Sequence, residues 1–145
     1  MKKLGVLAAV GVLFAAAPSF AQTVGSCPRG GGANQPPPAW VMFDLGSSQL
    51  RAADKPVIAQ AAATAKARQV SVICLIGHTD KLGDKVFNEK LARSRAQAVA
   101  AQMIRDGVPA NHLYIVADPE AFGNMNLGSS NASVEDRKVT IFFSR

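Results

Sequence analysis

Histidine and cysteine each occur only twice in this chain, and aromatic residues make up 6% of its 145 positions. His78 has no cysteine and no second histidine near it in sequence, which makes it a poor metal ligand, so neither a metal centre nor a cofactor is expected. The G-x-S-x-G turn of a serine hydrolase is missing too. The one enzymatic reading, a small exported hydrolase built on Asp44, His78 and Asp80, lacks a second general base, so no catalytic residue is assigned. No internal repeat occurs. Past the first 17 residues no apolar run approaches the ~20 that a membrane-spanning helix needs. Acids are the scarcer charge, 10 against 16 lysines and arginines. The bases Arg51, Lys55, Lys66, Arg68, Lys81, Lys85, Lys90, Arg93 and Arg105 are nonetheless scattered among acids. That is the pattern of a solvated surface and argues against a nucleic-acid partner, while leaving room for weak attraction to an anionic cell-wall polymer.

What is present begins with an address. Lys2 and Lys3 precede an apolar run over residues 4–17, and Ser19-Phe20-Ala21 supplies small residues at the positions a signal peptidase reads. Residues 1–21 are therefore expected to be a cleaved signal peptide, leaving 124 of the 145 residues as one exported domain of ordinary size. Residues 22–38 read as a linker, Gly-rich and then stiffened by Pro36-Pro37-Pro38. Residues 39–145 hold the folded part.

Three readings of the cysteines stand. Val24-Gly25-Ser26-Cys27 loosely matches the motif before a lipid-modified cysteine, which would make Cys27 a membrane anchor, the one route by which a membrane enters as a partner. The exported compartment equally permits a Cys27–Cys74 disulfide, provided the two Cα atoms come within ~6 Å. Read alone, Cys74 is a small core residue of the apolar strand 70–76.

Strands are expected at 40–43, 70–76, 113–117 and 139–143. A helix should start at Asp54, acting as its cap with Pro56 in the first turn, and bury Val57, Ile58, Ala61, Ala62 and Ala65. A longer helix should run from about 84 to 105 and end at Gly107 and Pro109. The order βαβαβ-β predicts an α/β (α+β) sandwich, a mixed four-stranded sheet with helices packed on it.

The most informative segment is GHTDKLGDKVFNEKLARSR, residues 77–95. It sets Asp80 just past a strand and Arg95 inside the next helix. A carboxylate and a guanidinium placed on either side of one loop can clamp a zwitterion, Asp80 taking an ammonium and the fork of Arg95 a carboxylate. Asn88 lies seven residues before Arg95, two turns along the same helix face, and the turn after Phe43 could add backbone N–H groups. Blander roles exist for each residue. Asp80 and Arg95 could simply pin loop to helix, His78 is expected to orient the loop by hydrogen bonding, and Arg137 could be a surface charge.

With these residues in hand, Phe43-Asp44, Gly77-His78-Thr79-Asp80, Gly83, Asn88, Leu91, Arg95-Ala96 and Asp136-Arg137-Lys138-Val139 resemble the OmpA-like C-terminal domain. That module is shared by outer-membrane proteins, peptidoglycan-associated lipoproteins and flagellar stator subunits. The resemblance covers roughly residues 40–143 and implies non-covalent, non-enzymatic binding of peptidoglycan in the periplasm or at the outer membrane, through the diaminopimelate of its peptide stem. It places the family's binding acid at Asp80, its helix asparagine at Asn88, its helix arginine at Arg95 and its closing arginine at Arg137. Asp44, Leu45, Thr79 and Leu91 fall among the positions lining the ligand, and other envelope proteins are implied as further partners. The chain departs from the family at Ala92, where serine is usual, at Asp136 and Lys138, and along residues 118–135, which leaves a structural partner-binding module with a decayed pocket as the alternative.

Overall fold

A computed structural model of the protein describes residues 27–28, 34–78, 84–117 and 137–144. The expected signal peptide 1–21, Thr79, Asp80 and the segment 118–135 lie outside these residues. Within them the chain forms β1 (Ala39–Met42), α1 (Lys55–Ala67), β2 (Val72–Gly77), α2 (Lys85–Arg105), β3 (Leu113–Val116) and β4 (Lys138–Ser144). The strands join in the order β1-β4-β2-β3. β4 runs antiparallel to both its neighbours, and β2 and β3 run parallel with α2 as their connection. The sheet is thus mixed and four-stranded, as expected.

Strand alternation decides which face the helices cover. Val41 opposite Val139, and Leu75 between Ile141 and Ile115, point to the helix side. There they pack with Ile58 and Ala62 of α1 and Ala96, Val99 and Met103 of α2 in one core. Alanines let α2 lie close to the sheet. A Cβ on Gly77 would collide with the Ala92 carbonyl, so glycine is required where the helix crosses β2. Ala92 is itself fully buried, so the hydroxyl it lacks would have entered this helix–sheet contact and not the mouth of a pocket.

Local signals fix the ends of α2. The Asp84 carboxylate accepts the Phe87 N–H at 2.9 Å, and the Val108 N–H reaches back to the Met103 carbonyl around Gly107 at φ +94°. α1 stops in the same way, but with Gln69 in the left-handed conformation at φ +54°. Asp54 departs from expectation. It sits in a 3₁₀ turn with helical angles and makes no cap hydrogen bond. Its buried carboxylate instead accepts from Arg51 Nε at 2.6 Å and from the Met42 N–H at 3.4 Å, tying the start of α1 to β1.

The far face of the sheet carries Cys74, Ile76 and Val116, with Val72, Tyr114 and Phe142 half-buried around them. Cys27 packs there and forms a disulfide with Cys74. The Ser144 hydroxyl donates to the Pro28 carbonyl at 2.8 Å, Arg68 donates to the Asn34 carbonyl at 3.3 Å, and Pro36 is buried. The described parts of the expected linker are therefore docked on the domain.

Candidate functional site

One end of the sheet gathers the residues singled out by the sequence. There β1 and β2 finish, β4 begins, and the Phe43 and His78 N–H groups donate to the carbonyls of Arg137 and Lys138 at 2.8 and 2.9 Å. The chain leaves β1 through a tight turn in which Gly46 takes φ +66°. The N–H groups of Ser47 and Gln49 are used inside that turn, on the Asp44 carbonyl and the Ser47 hydroxyl. The Asp44 and Ser47 carbonyls of this turn face the site.

Those carbonyls receive Arg95. Its Nε donates to the Ser47 carbonyl at 2.8 Å, one terminal nitrogen to the Asp44 carbonyl at 3.1 Å and the other to the His78 carbonyl at 3.4 Å. The guanidinium also stands over the Phe43 ring, 5.4 Å from its centroid. At 1% exposure, Arg95 is the largest of the fully buried side chains. These partners are neutral acceptors and an aromatic face, so they hold the cation in place and preserve its charge. The planar fork suits the task, since it spans acceptors from two separate loops at once.

The other expected site residues distribute around it. Asn88 and Leu91 are half-buried on the helix face that leads to Arg95, while Asp44 and Leu45 are exposed on the β1 turn. Arg137 is half-buried at the start of β4, and its Nε is enclosed with no hydrogen-bond partner among the described residues. Thr79 and Asp80 lie outside the described residues, the first of them directly after His78. Reasoning from sequence missed the Ser47 carbonyl and the Phe43 ring as supports of Arg95. The only signal was an aromatic residue closing β1 immediately before a turn.

His78 is held through its ring. Its Nε2 shares a 3.0 Å hydrogen bond with Thr140 Oγ1. Burial, reinforced by the Lys138 charge, pushes its pKa down from 6.5 to about 4. The folded state thus keeps the ring neutral where an unfolded chain would protonate it. Stability from this group is fully present above pH 6.5 and is lost as pH falls from 6.5 toward 4, by at most about 3 kcal/mol, since part of the ring sees water. Replacing His78 by Gln, which can keep a bond to Thr140, is expected to flatten that slope. Urea unfolding of both proteins at pH 7.5 and pH 4.5 checks it, and parallel losses on acidification would contradict a neutral buried imidazole.

A groove of about 450 Å³ lies between α2 and β3, with Ser48 of the β1 turn at its border. Ser94, Gln97, Ala101, Ile104, Leu113 and Ile115 contribute to its walls, and none of its lining side chains is charged, so it is unsuited to a zwitterion. Among the described residues no group of three or more His, Cys, Asp and Glu side chains could hold a metal ion, and no helix is long and apolar enough to cross a membrane.

Comparison with known proteins agrees with this architecture. Outer membrane protein A of Bordetella avium is 32% identical over 95 residues, covering 66% of this chain and 47% of that protein. The outer-membrane lipoprotein YfiB of Pseudomonas aeruginosa is 30% identical over 105 residues, covering 70% of this chain and 60% of its own length. The chain thus spans about half the length of these relatives. Among solved structures, the peptidoglycan-associated lipoprotein of Burkholderia pseudomallei superposes with a TM-score of 0.63 at 23% identity, over 73% of this chain and 90% of that one, which shows a shared fold. The sequence pattern of the OmpA family matches residues 42–140, about two thirds of the chain, and the protein belongs to that family.

Proposed function

We propose that this domain binds peptidoglycan non-covalently in the bacterial envelope, as a binding module and not an enzyme. The observation that carries the reading is Arg95, a buried cation fixed by the Asp44, Ser47 and His78 carbonyls at the end of the sheet where the loop bearing Asp80 begins. The far end of diaminopimelate carries an ammonium and a carboxylate on one carbon, and it needs an anion and a cation a few ångströms apart in a partly dry setting. Asp80 supplies the first and Arg95 the second. Asn88 and Leu91 line the helix side of this site, Asp44 and Leu45 border it from the β1 turn, Arg137 adds a second cation at the start of β4, and Thr79 is read as a further contact beside Asp80. The name of the Burkholderia peptidoglycan-associated lipoprotein supports the polymer as the partner. The outer-membrane relatives, together with the signal peptide expected at residues 1–21, support the periplasm or outer membrane as its place.

Co-sedimentation tests the reading. Polymer with diaminopimelate at the third stem position should retain the domain, and polymer with lysine there should not, because lysine has no terminal carboxylate for Arg95. Asp80→Asn should lose most retention, and all retention should weaken with added salt. Equal retention on both polymers would remove the clamp and leave a partner-binding module with a decayed pocket.

A further inference from the structure

Among the described residues, the large hydrophobic side chains left exposed are Trp40, Leu45, Val86 and Phe87, at 54, 72, 61 and 60%. Three of the four lie on segments that leave the same end of the sheet, Leu45 in the turn after β1 and Val86 and Phe87 at the start of α2, which follows the end of β2. Leu45 sits in the turn whose Asp44 and Ser47 carbonyls hold Arg95. Val86 and Phe87 occupy the first turn of α2, and Phe87, Leu91 and Arg95 follow one another at i, i+4 and i+8 along one helix face. Among the described residues nothing calls for an aromatic there. The capping bond to Asp84 uses only the Phe87 backbone N–H, so a polar side chain would serve the helix equally well. Apolar groups left in water at one place usually mark a binding surface. Lys85 and Lys90, both exposed, flank Val86 and Phe87, and the exposed Asp44 and Asp84 make the margin one of mixed charge.

We propose that Leu45, Val86 and Phe87 form an apolar rim on which the sugar strand of the polymer lies, while the clamp holds the stem. This rests on the peptidoglycan reading above. A pyranose ring presents C–H faces and hydroxyl edges, so it suits a flat aromatic and two aliphatic side chains with polar neighbours. The stem that reaches Arg95 is covalently attached to that strand, and the polymer's carboxylates complement Lys85 and Lys90. A lipid or protein surface would satisfy the apolar groups equally, but not the continuity with a charged pocket one helical face away.

The double variant Val86→Ser, Phe87→Ser changes exposed positions outside the clamp, and an unchanged melting curve confirms its fold. Intact diaminopimelate-type polymer and the sugar-free tripeptide L-Ala–γ-D-Glu–diaminopimelate serve as separate probes, with vesicles of phosphatidylglycerol as a third. Affinity for the polymer is expected to fall about tenfold or more, with tripeptide affinity unchanged and no vesicle binding by either protein. Equal losses on polymer and tripeptide would assign the rim to the stem, and no loss on either would remove it from binding. Wild-type retention on vesicles that the variant lacks would make lipid the occupant. A wild-type domain that bound neither polymer nor tripeptide would instead sink the parent reading, and this one with it.

Discussion

Cys27→Ser is expected to lower the free energy of unfolding by about 4 kcal/mol and the melting temperature by more than about 10 °C. The two cysteines are 47 residues apart, with Cα atoms 5.9 Å from each other. Cross-linking a loop of that length removes about 4 kcal/mol of chain entropy from the unfolded state. The bond also brings Pro28 to the Ser144 hydroxyl. Cys74 is fully buried on the central strand, so the thiol left in Cys27→Ser is a small apolar core group and adds no penalty of its own. Cys74→Asp would place a charge there and should prevent folding. Melts of the wild type with and without reductant, and of Cys27→Ser, provide the check, and three coincident curves would contradict a stabilising bridge. The same bond consumes the thiol that lipidation would use. The intact mass of mature protein is therefore expected to be two hydrogens below that of the reduced chain, and added acyl chains would show the opposite choice.

Much of this molecule is legible in the sequence because much of it is local. The ends of α2 follow from Asp84 and Gly107, whose side chain and missing side chain act within one helical turn. The four strands follow from short apolar runs between turn residues. The insertion of β4 between β1 and β2 does not, because pairing across more than sixty residues leaves no mark in either strand. Asp54 shows the same limit on a small scale. Its type and place suit a helix cap, yet the 3₁₀ turn before α1 points its carboxylate at Arg51 and Met42. In the candidate site, Arg95 was legible as a charge in a motif, but its partners were not. Among the described residues they are the Phe43 ring and main-chain carbonyls, and every residue has a carbonyl.

Those carbonyls change what Arg95→Ala should do. Read from sequence as one half of a ligand clamp, the residue could be lost without loss of the fold. In the structure its removal opens a cavity beneath the β1 turn and takes the donor from the Ser47 carbonyl, while the Asp44 carbonyl still accepts from the Ser47 N–H. The His78 contact is the longest of the three and contributes least. An unpaired buried acceptor costs about 1–3 kcal/mol, and truncating a large buried side chain about 2–5 kcal/mol, partly overlapping. Arg95→Ala is therefore expected to lose about 3–5 kcal/mol, a large share of the ~5–15 kcal/mol that holds a domain of this size. Arg95→Lys keeps the charge and stem volume but not the fork, so it should stand between the two in stability and still lose most polymer retention. Thermal melts separate that structural loss from binding, and they must accompany any sedimentation experiment on this residue. A wild-type melting temperature for Arg95→Ala would show that the guanidinium does not hold the turn, and would return Arg95 to the role of a ligand contact alone.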